Sequence, residues 1–482
     1  MDNPRRLIVF FVITFAILLL TNLVYKPKPK PSPAKADSVA TRTVVVPETR
    51  QDTAPAGETE IVVDRPAFKA VFSNLSGSLK SFYLKEYDAE LVPAGQRLFT
   101  TAVDKKDLGQ VAFDHAYDGQ VLVFTKEIDG TRIEKRIIFN HPYGFDLTVK
   151  TQPGPSVVTG NLDPGLALTE VKNKADDLKH YAVYAKGQEF RNLGKDKKNA
   201  QIWHRSPQWV GFRTKYFFLV LANKGQIDSM MTIPLQDKRV GLRIYTGSNS
   251  NLTVYGLPIK YGLLKKFDLG LEEIAKGGIF GPIARFFMAV LESFNRVLRN
   301  YGLAIILFAL IVKGVFMPLS LNMVKAQKKM QMIQPEIKKI QQRYKDNPGE
   351  MNREVMAMYK AYKVNPVSGC LPLLIQIPIF MALYSTLSSS IELRRAPFLL
   401  WIGDLSLKDP YYVLPITMGV MSIVQSLFTL TDPRQRMMVI LMPVFMTYIF
   451  LFMPSGLQLY WFIYTVFSLI EQFVVKRSGG SK

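Results

Sequence analysis

Acidic residues are scarce in this chain of 482 residues: 39 Asp and Glu stand against 61 Lys and Arg, a formal net charge of +22. The basic residues are neither gathered in one arm nor interleaved with aromatic stacking platforms. Anionic lipid and other polyanionic surfaces therefore fit the charge better than any specific nucleic-acid sequence. Cysteine is almost missing. Cys370 alone excludes an intrachain disulfide, and between Gly369 and Leu371 in an apolar segment it reads as a packing residue. Histidine is limited to His115, His141, His180 and His204 at scattered spacings, which give no metal-ligand set, so neither a metal nor a cofactor is expected. Internal repeats are lacking. Carboxylates are also lacking in the long apolar runs, except Glu471 near the end of the last, which argues against the alternative of a solute or ion transporter.

What is present is uneven. The start MDNPRR is followed by an apolar stretch at 7–25 with no small-residue cleavage site, which reads as an uncleaved anchor (domain 1–25) held in the cytoplasm at Arg5 and Arg6. The Pro-rich segment 26–58, opening KPKPKPSPAKADS, cannot bury a core and is expected to be a disordered linker. From 59 to 280 the period becomes that of strands, as in EIVVD, KAVFS, GQVLVFTKEI, RIEKRIIFN, FDLTVKT and KYFFLVLAN, with turn signals at Asp118-Gly119 and Asp129-Gly130. This predicts a β-sandwich outside the membrane.

Residues 281–300 carry Ile283, Phe286, Phe287, Val290, Leu291, Phe294, Val297 and Leu298 at threes and fours, with Arg285, Glu292, Arg296 and Arg299 off the stripe. The stripe suits either a core helix of the β domain or a helix lying in the membrane–water interface. A spanning segment begins almost at once, so the interface is expected. Beyond it, five spans are predicted at 303–323, 369–389, 411–428, 437–453 and 457–475. With the anchor they make six. Lys and Arg in the 324–365 loop, Arg434 and Arg436, and the basic tail 476–482 predict an N-in, C-in arrangement. Within the core at 301–475, residues 325–363 are expected to form a cytoplasmic helical hairpin. Its seam runs through Met330, Ile333, Ile337, Ile340 and Tyr344 against Met351, Val355, Met358 and Tyr362. Asp346-Asn347-Pro348-Gly349 is the turn, and Lys328, Lys329, Lys338, Lys339 and Arg343 form basic faces.

One lysine stands inside an apolar run, in FALIVKGVFMPLSL. Lys313 sits roughly 15 Å from either end of its span, and a dry ammonium there costs about 2.5–3.5 kcal/mol on insertion scales. Its stem of about 6 Å is too short for full snorkelling. With Glu471 the only acidic residue in the spans, an ion pair is disfavoured, and a water-filled cavity is expected. Gln376, Gln425, Tyr460, Trp461, Tyr464 and Ser468 are candidates to line it. Pro318 frees the carbonyl of Gly314 and is expected to bend the helix there.

The runs YKVNPVSGCLPLLIQIPIFMALY, ELRRAPFLLWIGDLSLKDPYYVLPI and MPSGLQLYW closely resemble the YidC-type membrane protein insertases of the bacterial inner membrane, and the likeness extends over nearly the whole chain. The resemblance implies a polytopic α-helical membrane protein with a five-span insertase core and a large periplasmic β-sandwich of sugar-mutarotase-like shape. It also implies a non-enzymatic insertase and chaperone that takes hydrophilic ends of clients into a polar groove and releases apolar segments into lipid, alone or beside the Sec translocon. Nascent membrane proteins, the Sec translocon, anionic lipids, and the ribosome with the signal-recognition targeting machinery are its implied partners. Lys313 holds the place where the family usually has arginine, keeping the charge without the guanidinium fork. Ala309 and Trp461 match groove-facing positions. An envelope carbohydrate enzyme is the remaining class; it requires paired carboxylates, and spacing alone does not bring Asp114, Asp118, Glu127 or Glu134 together.

Overall fold

A computed structural model describes residues 57–153, 156–185, 188–190, 201–203, 207–223, 227–235, 237–362, 371–429 and 436–478. The expected anchor at 7–25, nearly all of the linker, His204, Cys370 and the loop carrying Arg434 lie outside the described residues. The chain divides into two compact units, one comprising Gln51–Pro282 with Ser389–Glu392, the other containing Ile283–Ser388 and Leu393–Lys482.

The first unit is built of antiparallel strands. A nine-stranded sheet runs from Gln188–Phe190 through Ala182–Ala185, Trp209–Arg213, Phe217–Asn223, Asn249–Pro258, Gly144–Gln152, Thr131–His141 and Val121–Ile128 to Asp114–Tyr117. A six-stranded sheet and a four-stranded sheet complete it. The period-two pattern explains the layering: in Thr131–His141, Ile133, Ile137 and Phe139 are buried while Arg132 and Arg136 are exposed, so one face meets the core. Phe72, Phe82, Phe139 and Phe145 pack edge-on or tilted at its centre. Asp118, one of the carboxylates considered for carbohydrate chemistry, accepts from the backbone N–H of Gln120 at 2.8 Å and of Val121 at 2.7 Å. That ties its carboxylate to a turn.

Lys135 breaks the alternation. It occupies a core position with 1% exposure, and its Nζ donates to the carbonyls of Ser76 (2.8 Å), Gly77 (3.1 Å) and Phe99 (2.7 Å). All three residues have left-handed backbone, φ near +59°, +54° and +60°, which turns their carbonyls out of the ladders. The amine supplies the donors they would otherwise lack.

In the second unit, helix α1 (Gly281–Leu298) buries Ala284 and Leu291 and sets Phe287 edge-on against Phe308 at 4.9 Å. Ile283, Phe286 and Val297 on the same apolar stripe remain exposed. Helix α2 (Tyr301–Arg343) is capped by Asn300, which accepts from Leu303 N–H, and continues as one helix through Pro318 and Pro335. At 1.5 Å per residue it is about 65 Å long, twice a bilayer's hydrocarbon core. The stretch expected as a span at 303–323 and the first arm of the hairpin expected from 325 thus run on as one helix. Helix α3 (Pro348–Ala361) follows a cap at Asn347 with Pro348 in the first turn. Then come α4 (Leu371–Ser389), α5 (Val413–Thr429), α6 (Arg436–Phe450) and α7 (Ser455–Ser478).

Of the six expected spans, the first is outside the described residues. Among those described, two helices, Tyr301–Arg343 and Ser455–Val475, are long and apolar enough to cross a membrane, while the apolar stretches Val413–Leu427 and Ile440–Phe450 are shorter. The hairpin seam is also shorter than the expected stripe, with Ile340, Tyr344 and Met351 not among the side chains packed on Ile333 and Ile337. Ile333 and Ile337 are buried, with Met330, Val355, Met358 and Tyr359 packed on them, but Tyr362 is 54% exposed. Helix α3 ends at Ala361, so the stripe closes at Tyr359, four residues after Val355, and the seventh-residue step to Tyr362 falls beyond the helix.

Lys135 generates a prediction with a definite sign. Burial pulls its amine down to about 7 from the ordinary lysine value, whereas the unfolded chain holds that proton to about 10.4. Between these values the unfolded state binds more protons, so the stability of the β unit should rise with pH from about 7 towards 10. Lys135→Met should flatten this rise and, by orphaning the carbonyls, cost about 1–3 kcal/mol for each one left buried. Urea midpoints of the two proteins at pH 7 and pH 9 measure both effects.

Candidate functional site

Two helix faces make the site. On α2, Ala309, Lys313 and Ser320 fall at steps of four and seven; on α7, Tyr460, Tyr464, Ser468 and Glu471 fall at steps of four, four and three. Such steps align side chains on one face. The two helices begin at the same end of the unit, where Gly456 lies against Ile305. Lys313 lies twelve residues beyond Tyr301, and Glu471 sixteen beyond Ser455. The offset of about 6 Å along the axes is within reach of two long side chains.

They meet. Lys313 Nζ is 2.9 Å from Glu471 Oε2 and donates to Ser468 Oγ at 2.9 Å, with the Tyr464 ring centroid 4.5 Å away. Ser320 Oγ donates to the same Glu471 Oε2 at 2.6 Å. The Ser468 hydroxyl donates to the Tyr464 carbonyl at 2.9 Å, leaving its lone pairs for the ammonium. Lys313 and Glu471 side chains are 6% and 9% exposed. The expectation that Lys313 lacks an ionic partner is thus wrong: the single carboxylate in the spans is the one that reaches it. The 460-464-468-471 spacing held that signal, because it puts Glu471 on the face already selected for its polar residues.

The other expected residues divide. Tyr460 is fully buried, its ring 6.3 Å from that of Tyr464, and its hydroxyl accepts a long 3.5 Å contact from Gln376 Nε2. Ala309 is buried one turn from Lys313, and the half-buried Trp461 packs on Phe380 at 5.5 Å and Phe450 at 5.2 Å. Gln425 is half-buried on α5. In the hairpin, Ile333, Ile337 and Val355 form the seam. Lys329, Lys339 and Arg343 are exposed, Lys328 and Lys338 half-buried. No group of His, Cys, Asp and Glu among the described residues forms a metal site.

The family model described as 60Kd inner membrane protein matches residues 293–482. The membrane protein insertase YidC of Geobacter sulfurreducens is 34% identical over 463 residues, covering 86% of this chain and 86% of the relative. The chain belongs to the YidC family. A second YidC, from Syntrophus aciditrophicus, is 32% identical over 496 residues, covering 92% of this chain and 90% of the relative. A crystal structure of an active YidC insertase with its first transmembrane domain resolved is 21% identical, covering 87% of this chain and 93% of that one, with a TM-score of 0.41. These relatives lend no support to a solute or ion transporter.

Two motifs that carry the YidC-family resemblance have structural work to do. Asp409, fully buried, accepts from Trp401 Nε1 (2.9 Å) and from the N–H groups of Tyr411 (3.0 Å) and Leu414 (2.8 Å). It thereby folds the loop and caps the start of α5. Gln458 Nε2 donates to the carbonyls of Phe450 (2.8 Å) and Met453 (3.0 Å), closing the end of α6, while Ser455 and Gly456 N–H groups bond Leu407 and Leu405. Together these contacts fix where α7 begins, and hence the height of Glu471 against Lys313.

A buried ion pair suffers most when one member is lost. Lys313→Leu or Glu471→Leu alone should destabilise the helical unit by about 3–5 kcal/mol, whereas the double substitution should recover much of that loss. Thermal unfolding of the four proteins in detergent gives the cycle. A double variant whose loss equals the sum of the two single losses would show that the pair contributes no coupling.

Proposed function

We propose that this chain acts as a membrane protein insertase of the bacterial inner membrane, with no covalent chemistry. One observation carries the reading: α2 and α7 enclose the Lys313 cluster on one face and bear exposed apolar side chains on another. On α2 these are Ile311 and Val315; on α7 they are Ile470 and Phe473. A helix with a charged inner face and an apolar outer face suits a bundle immersed in lipid. It places an attraction for a hydrophilic segment beside a route into hydrocarbon.

In this reading the chain has six spans with both termini in the cytoplasm, a cytoplasmic hairpin formed by the end of α2 with α3, and the β unit in the periplasm. The domains are the anchor (1–25), linker (26–58), β-sandwich (59–280), interfacial helix (281–300), insertase core (301–475) and basic tail (476–482). The exposed Ile283, Phe286 and Val297 on α1 support a helix in the membrane interface. Exposed Lys329, Lys339 and Arg343 suit anionic lipid headgroups or the ribosome and targeting machinery. Nascent membrane proteins are the clients, with the Sec translocon as a partner for some of them. Lys313 attracts the acidic end of a client, and partitioning of the client's apolar segment into lipid drives the transfer.

Charge at Lys313 should decide the phenotype. In proteoliposomes, Lys313→Arg should preserve insertion, Lys313→Leu should slow clients with acidic translocated ends most, and Lys313→Glu should hurt those clients further. Matched neutral clients should be much less sensitive. Equal handling of both client types by the Leu and Glu variants would remove Lys313 from the mechanism. A separate test concerns the hairpin: Asp at Ile333, Ile337 and Val355 together should break its seam and impair insertion, whereas wild-type rates would show the pairing to be dispensable.

A further inference from the structure

We infer that Glu471 determines client specificity by occupying Lys313 in the resting protein, so that a client's carboxylate is captured by exchange with an internal one. This rests on the reading of Lys313 as the attractor for acidic client ends. Glu471 Oε2 receives both Lys313 and Ser320, while its Oε1 is buried with no hydrogen-bond partner among the described residues. A carboxylate with one oxygen doubly bonded and the other orphaned is held less well than its depth requires. Lys313 is better provided for: Ser468 and the Tyr464 ring hold the ammonium independently of Glu471. Departure of Glu471 therefore leaves the cation in position for a new anion.

Exchange changes what the cluster selects. A free ammonium would attract any carboxylate at close range, but one already neutralised by Glu471 offers only the difference between two ion pairs. An incoming segment gains when its carboxylate brings better hydrogen bonding than Glu471 has, or when a second acidic residue follows the first. No proton or covalent bond is transferred. The pair opens, Glu471 relaxes towards the interface, and the client's carboxylate takes its place on Nζ.

The test uses the full-length protein in proteoliposomes with two matched clients, one carrying a single Asp in its translocated end and one carrying Asn there. Capture is read by crosslinking to a photoreactive residue on α7, and insertion by protease protection. Glu471→Gln keeps the shape and the acceptor for Ser320 but removes the competing charge. It should raise capture of the Asp client relative to the Asn client by about tenfold, the ratio given by 1.4 kcal/mol. Ser320→Ala, which removes only the hydroxyl steadying Oε2, should move the ratio the same way by a smaller factor and provides the answer if the Gln variant is poorly folded. An unchanged or lowered ratio in a folded variant overturns the exchange and leaves Glu471 as a structural partner. Lys313→Leu in parallel separates the two levels. If it handles both clients as wild type does, the reading of Lys313 itself fails and the exchange with it; if it discriminates against Asp while Glu471→Gln changes nothing, only the exchange fails.

Discussion

A charge within an apolar helix must find partners before anything else about that helix can be settled. Lys313 finds them on α7, and this single requirement fixes the rotation and height of two helices. Lys313 must face Tyr464, Ser468 and Glu471, so Ile311 and Val315 on α2 and Ile470 and Phe473 on α7 are turned outward and stay exposed. A shift of one residue in either helix would rotate its polar face by about 100° into the apolar surface. The loops that set the start of α7, through Ser455, Gly456 and Gln458, belong to the same constraint although they lie well away from the charge.

Much of this was legible in the sequence, but unequally. Strand alternation identified the β unit because a one-residue slip would expose every core side chain. Lys135 was invisible to that pattern because its partners are backbone carbonyls of residues far away in the chain, and no side-chain motif reports on them. The hairpin seam could be read from its spacing up to the point where the helix ends, which the spacing does not encode. Glu471 was visible by periodicity and was set aside by its nearness to the end of the last run. Span depth estimated from hydropathy alone takes no account of an offset between neighbouring helices. Side-chain reach closes that offset. The turn expected at residues 346–349 is present but lies slightly earlier, closed by Asn347 N–H on the Tyr344 carbonyl, and Asn347 and Pro348 then start the next helix.

Two of the lysines buried among the described residues, Lys135 and Lys313, are held by different solutions, and the contrast bears on function. Lys135 is held by Ser76, Gly77 and Phe99 carbonyls whose directions are set by left-handed backbone; none of these acceptors can leave without unfolding its loop, so the site is fixed. Lys313 is held by side chains: a serine, a ring face and a carboxylate. Side chains change rotamer within nanoseconds when space permits, and a carboxylate partner can be replaced by another carboxylate with little change in local charge. Lys135, bound by backbone, is a brace, whereas the side-chain partners of Lys313 are ones that can be exchanged. The difference lies in the partners and not in the lysine, which is why the residue type alone said so little about either.

The same reasoning explains why a lysine suffices where the family resemblance leads one to expect arginine. A guanidinium fork is suited to a single planar carboxylate held in two parallel bonds. The partners of Lys313 are spread in three directions, towards Ser468, Glu471 and the Tyr464 face, and an ammonium with three rotatable donors meets such a shell more readily than a planar group does. Glu471 Oε2 is itself shared with Ser320, so one of the two oxygens that a fork would grip is already engaged. The geometry therefore favours a point charge with divided loyalties over a fork with one, and a cation so held is anchored firmly enough to stay in place while its anionic partner changes.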